Sequence, residues 1–330
     1  MEKEWSIPEL LSTSTAFWRG CTLQSAVRLG VFTTIDNDAL YLDDIADKLQ
    51  ADTRGTELLL NALAALGLLI KDGNSYSNSR AALDFLSSTS EKYIGHIILH
   101  HHHILDGWAQ LHDAVKLGKP VETRSYGEDI ERQSFLMGMF NLAMGIAPRL
   151  SSQVDLTGRR RLLDLGGGPG TYAIHFCLAN PDLSAVIYDR PTSKPFAMQT
   201  VEKFGLQDRI DFAGGNFNSD PITGGPYDAA WLSHILHSNS PEECQALLHK
   251  TAEAMDPGGL IMIHEFVLDN SKDSPEFPAL FSLNMLVNNE GGRSYSEEEL
   301  HIMLKSAGAK NIKRHSFQGP NDSAIIYGTV

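Results

Sequence analysis

Cysteine is scarce in this chain: three residues among 330, Cys21, Cys177 and Cys244, none in Cys-x-x-Cys spacing. Such usage excludes a disulfide scaffold, argues against a zinc site of the usual spacing, and fits a reducing compartment. Basic residues are also few, 27 Lys and Arg against 41 Asp and Glu, which leaves a net charge of -14. An acidic chain repels a phosphate backbone unless cations gather in one place, and the one short run is Arg159-Arg160-Arg161; no nucleic-acid partner is expected. Long apolar runs are missing, and the N-terminal Met-Glu-Lys-Glu-Trp lacks the basic-then-apolar order of a signal peptide. A cytoplasmic protein with no membrane partner is therefore expected. What is present, 42% apolar and 21% charged residues, suffices for a sizeable core, and the length suits two domains.

The most informative stretch is Leu162 to Gly170, Leu-Leu-Asp-Leu-Gly-Gly-Gly-Pro-Gly. Its apolar start has the composition of a buried parallel strand, and the glycines permit positive φ and close approach of a ligand. Helix-competent sequence follows Thr171, a second apolar strand covers 185–188, and Asp189 stands at its end. An acid about 20 residues after a glycine turn can accept from both hydroxyls of a ribose. Gly166, Gly168 and Gly170 are spaced Gly-x-Gly-x-Gly, which is not the dinucleotide pattern, and no Lys-Ser/Thr follows as in a phosphate loop. Further strands are expected near Ile210, Ala229, Leu260 and Ile312 and over 324–329, with helices over 195–204, 241–255 and 296–307. Pro257-Gly258-Gly259 should turn the chain into the fifth strand. The alternation predicts an α/β, Rossmann-like doubly wound sheet of seven strands whose last two form an antiparallel hairpin.

Upstream, helical periodicity over 6–35 with a break at Gly30 precedes helices over 42–49 and 53–68 and a hairpin over 69–79 centred on Asp72-Gly73-Asn74. Helix, helix and hairpin make a winged-helix pattern. Its second helix offers Arg54 and Asn61 and little else to meet DNA, so packing or dimerisation is the better reading. One long helix over 91–117 would carry His96, the run His100 to His103, and His112. His96, His100 and His103 would share a face, as a transition-metal site needs, but four consecutive histidines point four ways, so a partly exposed face, or one histidine reaching a substrate, is preferred. A helix over 126–154 carries Phe135, Met137, Met139, Phe140, Met144 and Ile146 on its apolar side. The domain boundary is expected at 154/155.

The form Leu-Asp-Leu-Gly-Gly-Gly-Pro-Gly with Asp189 downstream resembles the cofactor loop of S-adenosylmethionine-dependent methyltransferases. In an open parallel sheet the ligand lies beyond the carboxyl ends of the strands, which nominates Asp189 and Arg190, Asn216 and Phe217, Ser233, His234 and His237, and His264 and Glu265. Asn216 can hydrogen-bond an adenine edge and Phe217 can pack on its face. His237 follows an apolar strand and precedes the helix-start signal Ser240-Pro241-Glu242-Glu243, so it suits a general base, with Glu265 orienting its ring. A phenol's pKa of about 10 exceeds imidazole's by about 3.5 units, or roughly 4.8 kcal/mol, so proton removal must accompany attack.

Over its whole length the chain resembles the homodimeric small-molecule O-methyltransferases, a class that includes caffeic acid and hydroxyindole O-methyltransferases and bacterial polyketide-tailoring relatives. The match runs through the winged-helix region, Phe140-Asn141-Leu142-Ala143-Met144, the glycine loop, Leu236-His237, Glu265, and Gly291-Gly292-Arg293 before Tyr295-Ser296. The resemblance implies His237 as base beside Glu265, Asp189 on the ribose, and Phe140, Asn141, Met144, Asn284 and Met285 near an aromatic acceptor. It also implies a homodimer in which Phe17 and Trp18 reach toward the partner. The chain departs where the family usually has His-Asp-Trp, here His237-Ser238-Asn239, and at Ser233, Asn216 and Ser294, which stand for Lys, Asp and Glu. Two alternatives follow: a non-methylating enzyme on this scaffold, or a silent cofactor-binding protein. Retention of His237 and Glu265 favours methyl transfer.

Overall fold

A computed structural model describes residues 4–121 and 129–330. The described residues fall into two compact units, 4–105 with 129–141, and 106–121 with 142–330.

In the first unit, the helix Ile7–Ser14 opens with a capping box in which Ser6 and Glu9 satisfy each other's backbone N–H groups. Phe17–Leu29 ends at Gly30, whose φ of 76° is open to glycine at little strain. Then follow Val31–Ile35, β1 (Ala39–Tyr41), the helices Leu42–Leu49 and Thr53–Ala65, and the hairpin β2 (Leu69–Asp72) and β3 (Ser75–Asn78). The strands pair in the order β1-β3-β2, so the expected wing gains a third strand. Ala26, Phe32, Ile35, Ile45, Leu60, Leu63 and Tyr76 are buried together beneath it.

The expected helix over 91–117 is instead three: Gly95–His103, Leu105–Ala109 and Leu111–Leu117. Histidine is a middling helix former, and tertiary contacts decide the breaks. Trp108 Nε1 donates to Asn284 Oδ1 at 2.9 Å, and Gly107 lies where a Cβ would come 3.3 Å from the Val287 carbonyl. The histidines are used in packing: His100 meets the Phe135 ring at 5.3 Å, His96 meets Tyr93 at 5.3 Å, and His102 pairs with the Arg28 guanidinium. Burial pushes the His96 and His101 imidazoles down, toward the neutral form. The helix expected over 126–154 starts outside the described residues and is two, Asp129–Met144 and Ala147–Ser151, because Pro148 cannot donate into a continuous ladder.

In the second unit, β4 (Arg161–Leu165), β5 (Ser184–Asp189), β6 (Ile210–Gly214), β7 (Tyr227–Ser233), β8 (Met255–Leu268), β9 (Tyr295–Ser296), β10 (Lys310–Gln318) and β11 (Ser323–Thr329) form one sheet. Seven strands lie in the order β10-β11-β8-β7-β4-β5-β6, and β9, unforeseen, runs parallel beside β8. β11 is antiparallel to both neighbours. Pro257-Gly258-Gly259 lies inside β8 and not before it: the register passes from Tyr227 opposite Met255 to Ala229 opposite Leu260, a bulge. Alternate residues are buried on opposite faces, Leu163, Leu165, Ala230 and Leu232 on one, Leu162, Ala229, Trp231 and Met262 on the other. Both faces are therefore covered, which explains the near-continuous apolar strands.

Helices Thr171–Ala179, Lys194–Lys203, Pro241–Glu253, Glu276–Asn288 and Glu297–Ser306 provide the cover. Glu276–Asn288 escapes sequence reading because Phe277, Leu280, Phe281, Leu283, Met285, Leu286 and Val287 surround it with apolar side chains, leaving no contrast of period 3.6. No helix among the described residues is long and apolar enough to cross a membrane.

Candidate active site

β4 has β5 on one side and β7 on the other, so the strand order reverses at β4, and the glycine turn leaves its carboxyl end at that point. Gly166 has φ 67° and Gly170 φ 78°; a Cβ would come 2.2 Å from Ile235 Cδ1 at the first and 2.4 Å from Ile187 Cδ1 at the second. Both positions therefore need glycine for conformation and for space. Gly170 is the N-cap of Thr171–Ala179, and below the turn the buried Asp164 accepts from Ala173 N–H at 3.1 Å. Burial pushes the Asp164 carboxyl up to about 7; the Ala173 N–H opposes the shift and the Asp189 charge adds to it.

That shift has a stability consequence. The folded chain keeps a proton on Asp164 that the unfolded chain releases near pH 4, so this group's contribution falls as pH rises from about 4 to 7. Asp164→Asn, which keeps an acceptor for Ala173, should therefore gain melting temperature relative to the parent at pH 8 but not at pH 5. Parallel melting profiles across that range would remove the assignment.

Asp189 ends β5 and is tied to the turn: Oδ2 accepts from Gly168 N–H at 2.8 Å, and Oδ1 accepts from Arg190 N–H at 2.6 Å and Ser193 Oγ at 3.0 Å. Burial pushes its carboxyl up, and these donors pull it back. The Arg190 side chain is exposed. Asn216 closes its own loop, its Oδ1 accepting from Asn218 N–H at 3.1 Å, which leaves its Nδ2 to donate elsewhere. Phe217 borders the glycine turn, its ring edge 3.5 Å from where a Cβ of Gly166 would stand.

The ends of β7 and β8 bring together most of the titratable groups expected in the site. Ser233 Oγ pairs with His264 Nδ1 at 2.9 Å, and His264 Nε2 pairs with Ser323 Oγ at 3.1 Å. His264 is fully buried and stacked on Trp231, and burial holds it well below the ordinary imidazole range. His234 follows in the left-handed region, φ 56°, and turns the chain into the short helix Leu236–Ser238. His237 is buried, and its Nδ1 is 2.8 Å from Glu265 Oε2. Glu265 Oε1 accepts from Leu236 N–H at 2.8 Å, so one carboxylate grips both the ring and the turn that carries it. Burial opposes the Glu265 charge, but His237 and His234 outweigh it and hold the carboxyl far below its usual range. Among the described residues His237 Nε2 makes no hydrogen bond.

The unusual residues around His237 act as braces. Asn239 donates to Ile235 O at 2.8 Å and accepts from Asn218 Nδ2 at 2.8 Å, while Tyr295 OH donates to its carbonyl at 2.6 Å. Ser238 is exposed. Ser294 is buried, its N–H donates to Ser282 Oγ at 3.1 Å, and its own Oγ has no partner among the described residues. The second neighbour of Glu265 is His234, with Nδ1 3.6 Å from Oε2, ion-pair distance but too long for a hydrogen bond.

Of the expected acceptor residues, Asn141 Nδ2 donates to the Tyr93 carbonyl at 2.8 Å, and Phe140 is half-buried on the same helix. In the second unit Met144 Sδ is 3.4 Å from His175 Nε2, Met285 is buried with its sulfur toward Asn289 Nδ2, and Asn284 Oδ1 accepts from Trp108 and Asn288. Sequence reasoning missed an aromatic wall. Phe281 meets the His237 ring edge-on at 4.9 Å, Phe266 lies 4.8 Å from Phe281 and 4.4 Å from His234, and Phe277 lies 4.9 Å from Phe266. Phe266 directly follows Glu265 at a strand end, a signal that could have flagged it.

An open sheet with a glycine turn at its switch point, an acid at the end of the strand on one side and a buried His–Glu pair at the ends of the two strands on the other defines a Rossmann-like transferase of the methyltransferase class. The O-methyltransferase domain model matches residues 104–310 and the O-methyltransferase dimerisation domain matches residues 11–88. The chain belongs to the O-methyltransferase family. The 3-hydroxy-5-methyl-1-naphthoate 3-O-methyltransferase of Streptomyces sahachiroi is 31% identical over 97% of this chain and 95% of its own length. A tetracenomycin polyketide synthesis 8-O-methyl transferase of Streptomyces glaucescens is 31% identical over 96% and 95%. The structure of human N-acetylserotonin methyltransferase in complex with S-adenosylmethionine superposes with a TM-score of 0.86, at 26% identity over 100% of this chain and 99% of that one.

Proposed function

We propose that this chain moves a methyl group from S-adenosylmethionine to the hydroxyl of a small, flat aromatic acceptor of the polyketide or quinol type, with His237 as general base. The observation that carries this reading is the buried Nδ1–Glu265 pairing at 2.8 Å beside an Nε2 with no hydrogen bond among the described residues. With its proton on Nδ1, the ring offers the Nε2 lone pair to an acceptor hydroxyl as attack proceeds, and the carboxylate stabilises the imidazolium that results. When bound, the cofactor supplies a methyl group activated by sulfonium. The chain's own residues fit it: Gly166 and Gly170 keep the turn clear of side chains, the Asp189 carboxylate suits a ribose, and Phe217, with Asn216 Nδ2, suits an adenine. Arg190, next to Asp189, and Ser233, which holds His264, are the further cofactor residues in this reading. Residues 155–330 form the cofactor-binding domain in this reading.

Two features support an aromatic acceptor: the wall of Phe266, Phe277 and Phe281, and the hydroxynaphthoate named for the Streptomyces sahachiroi relative. The other acceptor residues in this reading are Asn284 and Met285, on the helix that carries Phe277 and Phe281, Met144, and, in the first unit, Phe140 and Asn141. Incubation with methyl-labelled S-adenosylmethionine and a panel of phenols, naphthols and quinols tests the reading. Label in an O-methyl product is expected; tight cofactor binding with no labelled product across the panel would point to the non-methylating alternative.

Residues 1–154 form the dimerisation domain in this reading, and the partner is a second copy. Ile7, Leu11, Phe17 and Trp18 are 74%, 63%, 60% and 63% exposed, a large apolar surface for a lone chain. Trp18→Asp combined with Leu11→Asp should convert a particle of twice the chain mass to one of 36.3 kDa in light scattering. A parent protein that already runs at the single-chain mass would overturn the dimer.

A further inference from the structure

We infer that Glu265 Oε2, His234 and His237 form a binding site for a divalent transition ion of the zinc type, and that an ion there switches methyl transfer off. The binding rests on geometry; the switching rests on the proposed role of His237. One ligand atom from each of the three residues lies within 4.8 Å of the others. Oε1 of Glu265 is taken by the Leu236 N–H, so Oε2 is the oxygen that meets both imidazoles, 2.8 Å from His237 Nδ1 and 3.6 Å from His234 Nδ1. His234 Nδ1 is buried and has no hydrogen-bond partner among the described residues. A buried ring nitrogen aimed at a carboxylate but standing too far away to bond it leaves an interaction unmade.

Two imidazole nitrogens and a carboxylate oxygen are the three-ligand set of many zinc sites, with a fourth position left for water. Ligand bonds of about 2.0–2.2 Å around a tetrahedral ion put ligand atoms roughly 3.3 Å apart, so the three groups need shift by no more than about 1.5 Å. Phe266, packed against both rings, is positioned to limit hydration of the ion. The histidine-rich helix Gly95–His103, the place sequence alone suggested for a metal, has no such grouping among the described residues.

The chemical consequence follows from the two nitrogens of one ring. As a base, neutral His237 carries its proton on Nδ1 and its lone pair on Nε2. An ion on Nδ1 needs that nitrogen's lone pair, so the ring's single proton moves, through solvent, from Nδ1 to Nε2. No proton is gained or lost, but Nε2 can no longer accept one from the acceptor hydroxyl.

Cobalt(II) and zinc(II) titrated into the full-length, tag-free protein test this. Expected are one cobalt ion per chain, with visible absorption of tetrahedral or five-coordinate character displaced by zinc, and loss of turnover along the same zinc titration. His234→Asn, chosen because Asn tolerates the left-handed backbone, and Glu265→Gln should each weaken cobalt binding at least tenfold while still binding S-adenosylmethionine, which shows that they fold. Binding of equal strength in parent and variants would put the ion elsewhere and overturn the site, as would no binding at all. An ion bound at full occupancy with turnover unchanged would overturn the switch. If His237→Ala loses turnover in metal-free buffer while the parent binds no ion, the site fails and the proposed base survives.

Discussion

His237→Ala should lose about 10²- to 10⁴-fold in kcat while its affinity for S-adenosylmethionine stays within about twofold of the parent. The asymmetry follows from where the side chain stands. His237 lies at the end of β7 and bonds to Glu265, whereas the glycine turn is held by Asp189 and needs nothing from the imidazole. In the proposed function, removal of the ring should leave positioning intact and delete proton acceptance alone. Glu265→Gln should fall between the two proteins, because a carboxamide keeps an acceptor for Leu236 N–H but holds no imidazolium charge. Single-turnover kinetics with labelled cofactor would separate chemistry from release. Unchanged turnover in His237→Ala at saturating cofactor would defeat the assignment.

Asp189→Ala should do the reverse. Its carboxylate orders the turn through Gly168 N–H and fixes Arg190 N–H and Ser193 Oγ, and in the proposed function it also accepts from the ribose. Loss of two charge-assisted hydrogen bonds at about 1.5 kcal/mol each is roughly 3 kcal/mol, or about a hundredfold in Kd. Turnover at saturating cofactor should recover to within a few-fold, since no atom of Asp189 handles the proton. Calorimetric titration with S-adenosylmethionine reads the first quantity and the steady state reads the second. An affinity within threefold of the parent would exclude Asp189 from the cofactor site.

These opposite signatures trace to two kinds of local information in the chain. The turn after β4 is legible because strain and sterics act within a few residues: Gly166 and Gly170 need positive φ, and Ile235 and Ile187 fill the space a side chain would want. The alternating strands are legible because both faces are buried. His234 is different. That it shares Glu265 with His237 depends on a left-handed backbone at a residue other than glycine, which no sequence spacing announces. The aromatic wall was hidden because Glu276–Asn288 is apolar all round and has no period to find. The single helix over 91–117 failed for the opposite reason: the pattern was present, but Trp108 and Gly107 answer to Glu276–Asn288.

The double grip of Glu265 on Leu236 N–H and the His237 ring bears on how such an enzyme can change its substrate. A nitrogen locked to its own peptide stem cannot swing to follow a hydroxyl presented at another angle. If His237 is the base proposed above, regiochemistry is a matter of how the guest molecule is turned toward a stationary point. In the proposed function, new acceptors are reached most readily by re-cutting Phe281, which meets that ring edge-on, and Phe277 beside it.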